Sequence, residues 1–250
     1  MARNSLILSP PAPVSALTSR PLVARTRRTK GHMNTQPGSR ERIYAIVAGA
    51  LVCLALGLQF YLTSNLIAAQ GRHWVQAILV FLDYFTILTN LLVAAALLLP
   101  AAAPTLQLAT FFRRPAVLGA IATYIAVVGL GYTLLLLDFR ASDGPSLWAD
   151  VLLHDLSPIL FVLYWLLFVP KGFLRWLHPF LWLGYPFLYV VYAFLRATAT
   201  YRYPYPFLDI AALGHARVFH NIVLLAGGFL LVGLLMVALD RFLSIRKPAV

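Results

Sequence analysis

Three features of the sequence predict an all-α membrane protein, a bundle of six transmembrane helices. Hydrophobic residues make up 61% of the 250-residue chain, and its mean hydropathy is +0.80. Charged residues make up only 11%, whereas a soluble domain carries about 25%. Six apolar segments are each long enough to cross the bilayer as a helix, which takes roughly 20 residues. None of them shows the alternation of apolar and polar residues that is typical of strands in a membrane β-barrel.

The segment before the first apolar run is basic and polar. It holds too few apolar residues to fold alone, so we expect residues 1–42 to be a disordered tail. Its Arg-rich, nearly acid-free composition is typical of a cytoplasmic tail and also resembles an organelle transit peptide; we favour the tail. Met33 offers an alternative start within it.

Six predicted spans follow and form one transmembrane domain over residues 43–242, with a short basic tail at 243–250. The predicted spans cover residues 43–62, 74–100, 115–137, 151–170, 178–196 and 215–239. The last span contains Gly227, Gly228 and Gly233, small residues that let neighbouring helices approach closely.

The basic residues predict the orientation. Fifteen of the 20 Lys and Arg residues fall on the side of the N-terminal tail. Cytoplasmic loops carry such an excess, so both termini are predicted to be cytoplasmic. The net charge of +12 then reflects topology and attraction to anionic lipids of the inner leaflet. We therefore expect membrane lipids, and no nucleic acid, as partners.

No metal or cofactor is predicted. The single cysteine, Cys53, lies in an apolar segment and cannot form an intramolecular disulfide. His215 and His220 are five positions apart, whereas paired helical metal ligands usually lie four apart.

The second span carries a polar stripe, which we call the polar seam: Asp83, Thr86 and Asn90. In one continuous helix these positions share a face. A carboxylate at that depth is costly and is therefore a functional candidate, for ion binding, proton relay or nucleophilic chemistry. The alternative is a set of hydrogen bonds between helices.

Two further polar groups lie near the predicted outer face. His154 and Asp155 sit near the start of the fourth span, and a histidine is the natural base for activating a hydroxyl. An inert interfacial histidine is the competing interpretation. The loop before the sixth span alternates aromatic residues with proline around Tyr205 and ends at Asp209. It predicts either a lid or an interfacial anchor.

Three motifs resemble the androgen-induced-gene family of six-helix membrane proteins, most closely its bacterial branch. In order they are FTILTNLL, LLHDLSPILF and YPYPFLD with GHARVFHN, and the resemblance covers about residues 43–242. Animal members are intramembrane hydrolases that cleave fatty acid esters of hydroxy fatty acids with a threonine and a histidine. The resemblance implies that Thr86 and His154 are these two residues, with Tyr205 and Asp209 in a shared motif. It also implies a bacterial plasma membrane location.

The resulting hypothesis is a hydrolase of lipid esters with a Thr86–His154 dyad. Histidine would activate the threonine hydroxyl. Asp155 or Asp83 would orient the imidazole, and Asn90 or a backbone N–H would stabilise the oxyanion. The alternative is a membrane protein without enzymatic activity, either a small-solute or proton-coupled transporter or a scaffold.

Overall fold

The computed structural model describes residues 38–136, 140 and 143–245, and most of these are helical, with no strand among them. Most of the predicted basic tail (residues 1–37) and residues 246–250 lie outside the described part. The α-helices are α1 Ser39–Ala69, α2 Trp74–Leu82, α3 Phe85–Ala102, α4 Gln107–Phe112, α5 Pro115–Gly131, α6 Gly144–Val151, α7 Ser157–Phe168, α8 His178–Trp182, α9 Gly184–Thr200 and α10 Ile210–Ile245. Two π-helical turns, Tyr132–Leu136 and Leu152–Leu156, and a 3-10 turn, Pro206–Leu208, complete the described elements.

Six helical segments of the described chain are long and apolar enough to cross a membrane, which confirms the predicted six-helix architecture. They are Ser39–Ala69, Phe85–Ala102, Pro115–Leu136, Gly144–Phe168, His178–Thr200 and Ile210–Ile245. The first helix runs past both predicted limits, because it continues through polar residues that an apolar window omits. In the last, Gly214 has non-helical angles (φ 75°, ψ 160°), so the long part of α10 begins after it, close to the predicted start, and runs past the predicted end to Ile245. An even number of described spans brings Ser39 and Ile245 to the same side of the bundle.

The third helix, α3, and the fifth, α5, form the centre of the bundle. In the most apolar stretch of α3, 61% of the residues are buried, and in the span that begins with α5 the share is 56%. The corresponding share is 22% for the spans of α9 and α10. The outer helices therefore present most of their apolar side chains to lipid, while α3 and α5 supply the core.

The prediction of one continuous helix over residues 74–100 is wrong. The second helix ends at Leu82, and Tyr84 has extended backbone angles (φ −95°, ψ 131°) before α3 begins at Phe85. Asp83 therefore caps one helix, while Thr86 and Asn90 belong to the next. The three members of the polar seam do not share one helical face.

The backbone groups exposed at this break are bound by tyrosine hydroxyls. Within a bilayer, irregular backbone must find its hydrogen-bond partners inside the protein. Tyr189 donates its hydroxyl hydrogen to the carbonyl of Asp83 (2.9 Å). At the other side of the break, the N–H of Thr86 donates to the hydroxyl of Tyr205 (3.3 Å). The break is thus stabilised by residues more than 100 positions away in the chain.

A second irregularity lies in the fourth span, between α6 and α7. Pro158 has no N–H, and in the i to i+5 pattern of the π turn it would be the partner of the Leu153 carbonyl. That carbonyl instead accepts a hydrogen bond from Nδ2 of Asn90 (3.3 Å). The side chain of Asn90 therefore joins α3 to the π turn Leu152–Leu156.

One glycine lets α5 approach this π turn. A Cβ atom at Gly129 would lie 3.0 Å from the backbone oxygen of His154 and 3.2 Å from Cγ of Pro158. Among the three glycines predicted for packing, Gly233 has this role, with a Cβ contact of 3.0 Å to Pro179. Gly227 and Gly228 face open space, so the packing prediction is wrong for them.

We predict that Gly129→Ala destabilises the protein. Alanine is better than glycine in a helix interior by about 1 kcal/mol, but overpacking of a tight contact costs about 1–3 kcal/mol, and the backbone oxygen of His154 cannot rotate away. Gly57→Ala is the matched control, since nothing lies within 4 Å of its Cβ position. Thermal unfolding in detergent should give a lower Tm for Gly129→Ala than for Gly57→Ala. Equal values would contradict the close approach.

Candidate functional site

A cavity of about 400 Å³ lies between α3, α5, α9 and α10. The π turn Leu152–Leu156 and the loop that holds Tyr205 close it. Among the described lining residues, only five have polar side-chain atoms; they are Thr86, Tyr132, His154, Tyr189 and Tyr205. The remainder are aliphatic residues, phenylalanine, proline or glycine. An apolar cavity with a few convergent polar groups is typical of a site for a small apolar molecule.

Thr86 lies at the start of α3, where the helix break turns its side chain to the cavity. Its hydroxyl oxygen is 3.4 Å from the hydroxyl of Tyr205, and either group can donate. Thr86 is buried, and the positive end of the helix dipole of α3 lies beside it. A negatively charged oxygen formed at this position would therefore be stabilised.

His154 also lines the cavity and lies in the π turn Leu152–Leu156. Its Nδ1 is 3.0 Å from the carbonyl oxygen of Asp150. A carbonyl only accepts, so the ring hydrogen is on Nδ1, and Nε2 of the neutral ring is the nitrogen that can take a proton. The imidazole stacks on Tyr132, with ring centroids 3.7 Å apart and planes inclined by 17°. These two contacts fix both the tautomer and the plane of the ring.

The carboxylate nearest to the imidazole among the described residues is that of Asp150, which was not among the predicted site residues. One of its carboxylate oxygens lies 3.9 Å from Nδ1 of His154. The sequence contains an indication of this contact, because Asp150 precedes His154 by four positions and residues so spaced share a helical face. Neither Asp155 nor Asp83, the two predicted candidates, has a hydrogen bond or ion pair to His154 among the described residues.

Asp155 belongs to the rim of the site. It forms an ion pair with Arg140. The hydrogen bond to Asp155 raises the pKa of the Arg140 guanidinium above its ordinary value, so this arginine stays charged. The guanidinium also lies over the ring of Tyr132, 5.4 Å from its centroid. Asp155 therefore supports His154 indirectly, through the stack of Arg140, Tyr132 and His154.

Asn90 lies below the cavity, fully buried, and does not line it. Its amide nitrogen donates to the carbonyl oxygens of Thr86 (2.9 Å) and Leu153 (3.3 Å). Its amide oxygen accepts a hydrogen bond from the hydroxyl of Ser157. Both amide hydrogens are thus in use, and Asn90 has no donor left for an oxyanion. Its position is that of a structural bridge between α3 and the π turn.

Asp83 points away from the cavity and forms a bidentate ion pair with Arg196 of α9. The two oxygen–nitrogen distances are 2.6 and 3.1 Å. The hydroxyl of Tyr192 also donates to this carboxylate (3.3 Å). The charge that makes Asp83 expensive in a membrane is therefore balanced by an arginine 113 positions away.

Tyr205 and Asp209 have separate roles at the two ends of the loop. The hydroxyl of Tyr205 reaches Thr86, whereas Asp209 accepts a hydrogen bond from the N–H of Ala212 (3.1 Å) and caps α10. The loop itself is held by Asn221, whose side chain donates to the carbonyl of Phe207 (2.9 Å). Asp209 does not line the cavity.

Thr86 and His154, the predicted pair, face the same cavity. Within the described chain, no hydrogen bond joins the hydroxyl of Thr86 to the imidazole of His154. Both residues line the same cavity of about 400 Å³.

Comparison with protein-family models, curated proteins and solved structures gives no match to this chain. The fold itself defines the class of protein. It is an integral, multi-pass membrane protein, whose described spans enclose an apolar cavity lined by a threonine hydroxyl and an imidazole.

We predict that Asp83 and Arg196 stabilise the helix break only as a pair. Removal of one partner leaves a half-buried charge, so Asp83→Asn or Arg196→Gln should each cost up to about 3 kcal/mol. The double variant should lose clearly less than the sum of the two single losses. Thermal unfolding in detergent measures this, with exposed Arg202 as the site of a control Arg→Gln exchange. Additive losses would contradict the pairing.

Proposed function

We propose that the protein is an intramembrane hydrolase of lipid esters, in which Thr86 is the nucleophile and His154 the general base. The observation that carries this proposal is the shared cavity, because Thr86 and His154 both line the same apolar space, and Nδ1 of His154 is held by the carbonyl of Asp150. The apolar lining can hold the acyl chains of a lipid, and the hydroxyl of Thr86 and the imidazole of His154 can act on its ester linkage.

The first half of the reaction is acyl transfer to Thr86. The ester carbonyl binds beside Oγ1 of Thr86, and Nε2 of His154 takes the hydroxyl proton, directly or through one water, as Oγ1 bonds to the carbonyl carbon. The tetrahedral intermediate then collapses, the bond to the alcohol oxygen breaks, and His154 returns the proton to that oxygen. An alcohol leaves, and an acyl-threonine remains.

In the second half, water replaces the alcohol. His154 takes a proton from water, the hydroxide attacks the acyl-threonine, and the carboxylic acid leaves as Thr86 regains its hydrogen. Asp150 and Tyr132 keep the ring in the tautomer and plane that both halves require. Their contribution is orientation, which preorganises the base before substrate binds.

The lining residues support an uncharged ester as substrate. Among the described residues that line the cavity there is no Lys, Arg, Asp or Glu. The nearby arginines Arg140 and Arg196 are already paired with Asp155 and Asp83. A charged group next to the scissile ester would be desolvated without a partner, which is costly.

Membership of the androgen-induced-gene family is part of the proposal, together with a bacterial plasma membrane location and cytoplasmic termini. The motifs that resemble this family contain Thr86 and His154. That the same two residues face one cavity is consistent with the proposed membership.

A second candidate function is binding or transport of an apolar solute without chemistry. It is favoured by two observations: Thr86 and His154 are not hydrogen-bonded to each other, and both amide hydrogens of Asn90 are occupied. Proton coupling through Asp83 receives less support, because Arg196 already neutralises this carboxylate.

We predict that Thr86→Ala abolishes ester hydrolysis and labelling by a lipophilic fluorophosphonate, since both require the hydroxyl. Thr86→Ser should retain activity. His154→Gln should lower turnover by about 100- to 10,000-fold, the usual contribution of a general base. The measurements are fatty acid release from a panel of lipid esters and in-gel probe labelling of the purified, full-length protein.

Thr123→Ala is the matched control for these assays. Thr123 is a buried threonine whose hydroxyl donates to the carbonyl of Gly119 (2.9 Å), and it does not line the cavity. Its loss should leave hydrolysis unchanged. Turnover by Thr86→Ala equal to that of the wild type would reject the hydrolase in favour of a non-catalytic protein.

We also predict selectivity for uncharged esters. Wax esters and diacylglycerols should be hydrolysed faster than phosphatidylglycerol with the same acyl chains, because the described lining residues include no Lys or Arg to bind a phosphate. Competition between these lipids in mixed micelles measures the ratio of kcat/KM. Faster cleavage of the anionic lipid would show that a charged headgroup is recognised after all.

A further inference from the structure

Acyl transfer at Thr86 needs a hydrogen-bond donor for the carbonyl oxygen, which becomes negatively charged in the tetrahedral intermediate. Most polar groups near the site cannot supply it. Both amide hydrogens of Asn90 bind backbone carbonyls. Tyr189 donates to the carbonyl of Asp83. The hydroxyl of Tyr132 is buried with no hydrogen-bond partner among the described residues, but its ring stacks on His154, and no hydrogen bond or ring contact of the described residues joins it to Thr86.

We propose that the hydroxyl of Tyr205 is the oxyanion donor, an inference that rests on the hydrolase function proposed above. This hydroxyl lies 3.4 Å from Oγ1 of Thr86 and accepts a hydrogen bond from the N–H of Thr86 (3.3 Å). In the contact with Oγ1 either hydroxyl can donate. When the Thr86 hydroxyl gives its hydrogen to the base, the hydrogen of Tyr205 is left to bind an oxygen at Oγ1 or in the cavity. When Oγ1 bonds to a carbonyl carbon, the carbonyl oxygen is one bond further away and comes within reach of this hydrogen.

The fixed position of Tyr205 suits this role. Its ring stacks on Phe207, with centroids 5.0 Å apart and planes inclined by 7°, and meets Tyr84 edge-on at 5.9 Å. Asn221 anchors the same loop through the carbonyl of Phe207. A donor that is already oriented costs no reorganisation when charge develops.

The protonation state of Tyr205 is also suitable. Burial raises the pKa of its phenol above the ordinary value. The group therefore keeps its proton and stabilises the oxyanion by a hydrogen bond, without transfer of the proton. The N–H of Thr86 that binds the phenol oxygen polarises the O–H bond and strengthens this donor.

The test is Tyr205→Phe, which removes the hydroxyl and keeps the ring. We expect kcat for an uncharged ester to fall by about 100- to 1,000-fold, as on loss of one oxyanion donor, with KM nearly unchanged. A long-chain boronic acid, which forms a tetrahedral adduct with Thr86, should lose affinity in parallel with kcat/KM. A non-hydrolysable ether analogue of the ester should keep its affinity.

Tyr44→Phe is the matched control, because the hydroxyl of Tyr44 also bonds to the backbone, here by donating to the carbonyl of Leu160 (2.9 Å), but Tyr44 does not line the cavity. Wild-type kcat in Tyr205→Phe would overturn the proposed role of Tyr205 and leave the hydrolase intact. Loss of ether and boronate affinity to the same extent would also overturn it, since Tyr205 would then only shape the cavity. Absence of turnover in the wild type itself would overturn the hydrolase and the donor together.

Discussion

The geometry of the site depends on one constraint, the need to satisfy the backbone where the second apolar segment breaks. Between Leu82 and Phe85 the chain leaves the helix inside an apolar environment, where unpaired backbone groups cost several kcal/mol each. Tyr189 and Tyr205 supply the missing partners from later parts of the chain. The same contacts place Thr86 at the free start of α3, beside a tyrosine hydroxyl and open to the cavity.

His154 lies in a second irregular stretch, the π turn Leu152–Leu156, and the side chain of Asn90 connects this turn to α3. Pro158 leaves the carbonyl of Leu153 without a helical partner, and Asn90 binds it from α3. Gly129 lets α5 approach the same turn closely enough for Tyr132 to stack on His154. Thr86 and His154 are therefore positioned by one continuous hydrogen-bonded and packed unit.

Charge is arranged around the cavity, with none inside the described lining. Asp83 is paired with Arg196, Asp155 with Arg140, and Asp209 caps a helix. Among the described residues that line the cavity, the polar side-chain groups are four hydroxyls and one imidazole. In such a low-dielectric space, a hydrogen bond to a developing negative charge is stronger than in water. An uncharged lipid ester can enter this space without the desolvation cost of a charged group.

The sequence alone determined the class of protein, because the length of an apolar segment and the thickness of a bilayer decide whether a helix can span it. It also placed Thr86 and His154 in different spans as candidates. It did not predict the break at Asp83, since no proline or glycine marks that position and the residues around it remain apolar. Three contacts became visible only in the tertiary structure. Asp83 pairs with Arg196, and both amide hydrogens of Asn90 bind backbone carbonyls. Asp150 is the carboxylate beside His154. Each outcome depends on which partner a buried polar group finds across the bundle, and such partners are set by packing between distant helices.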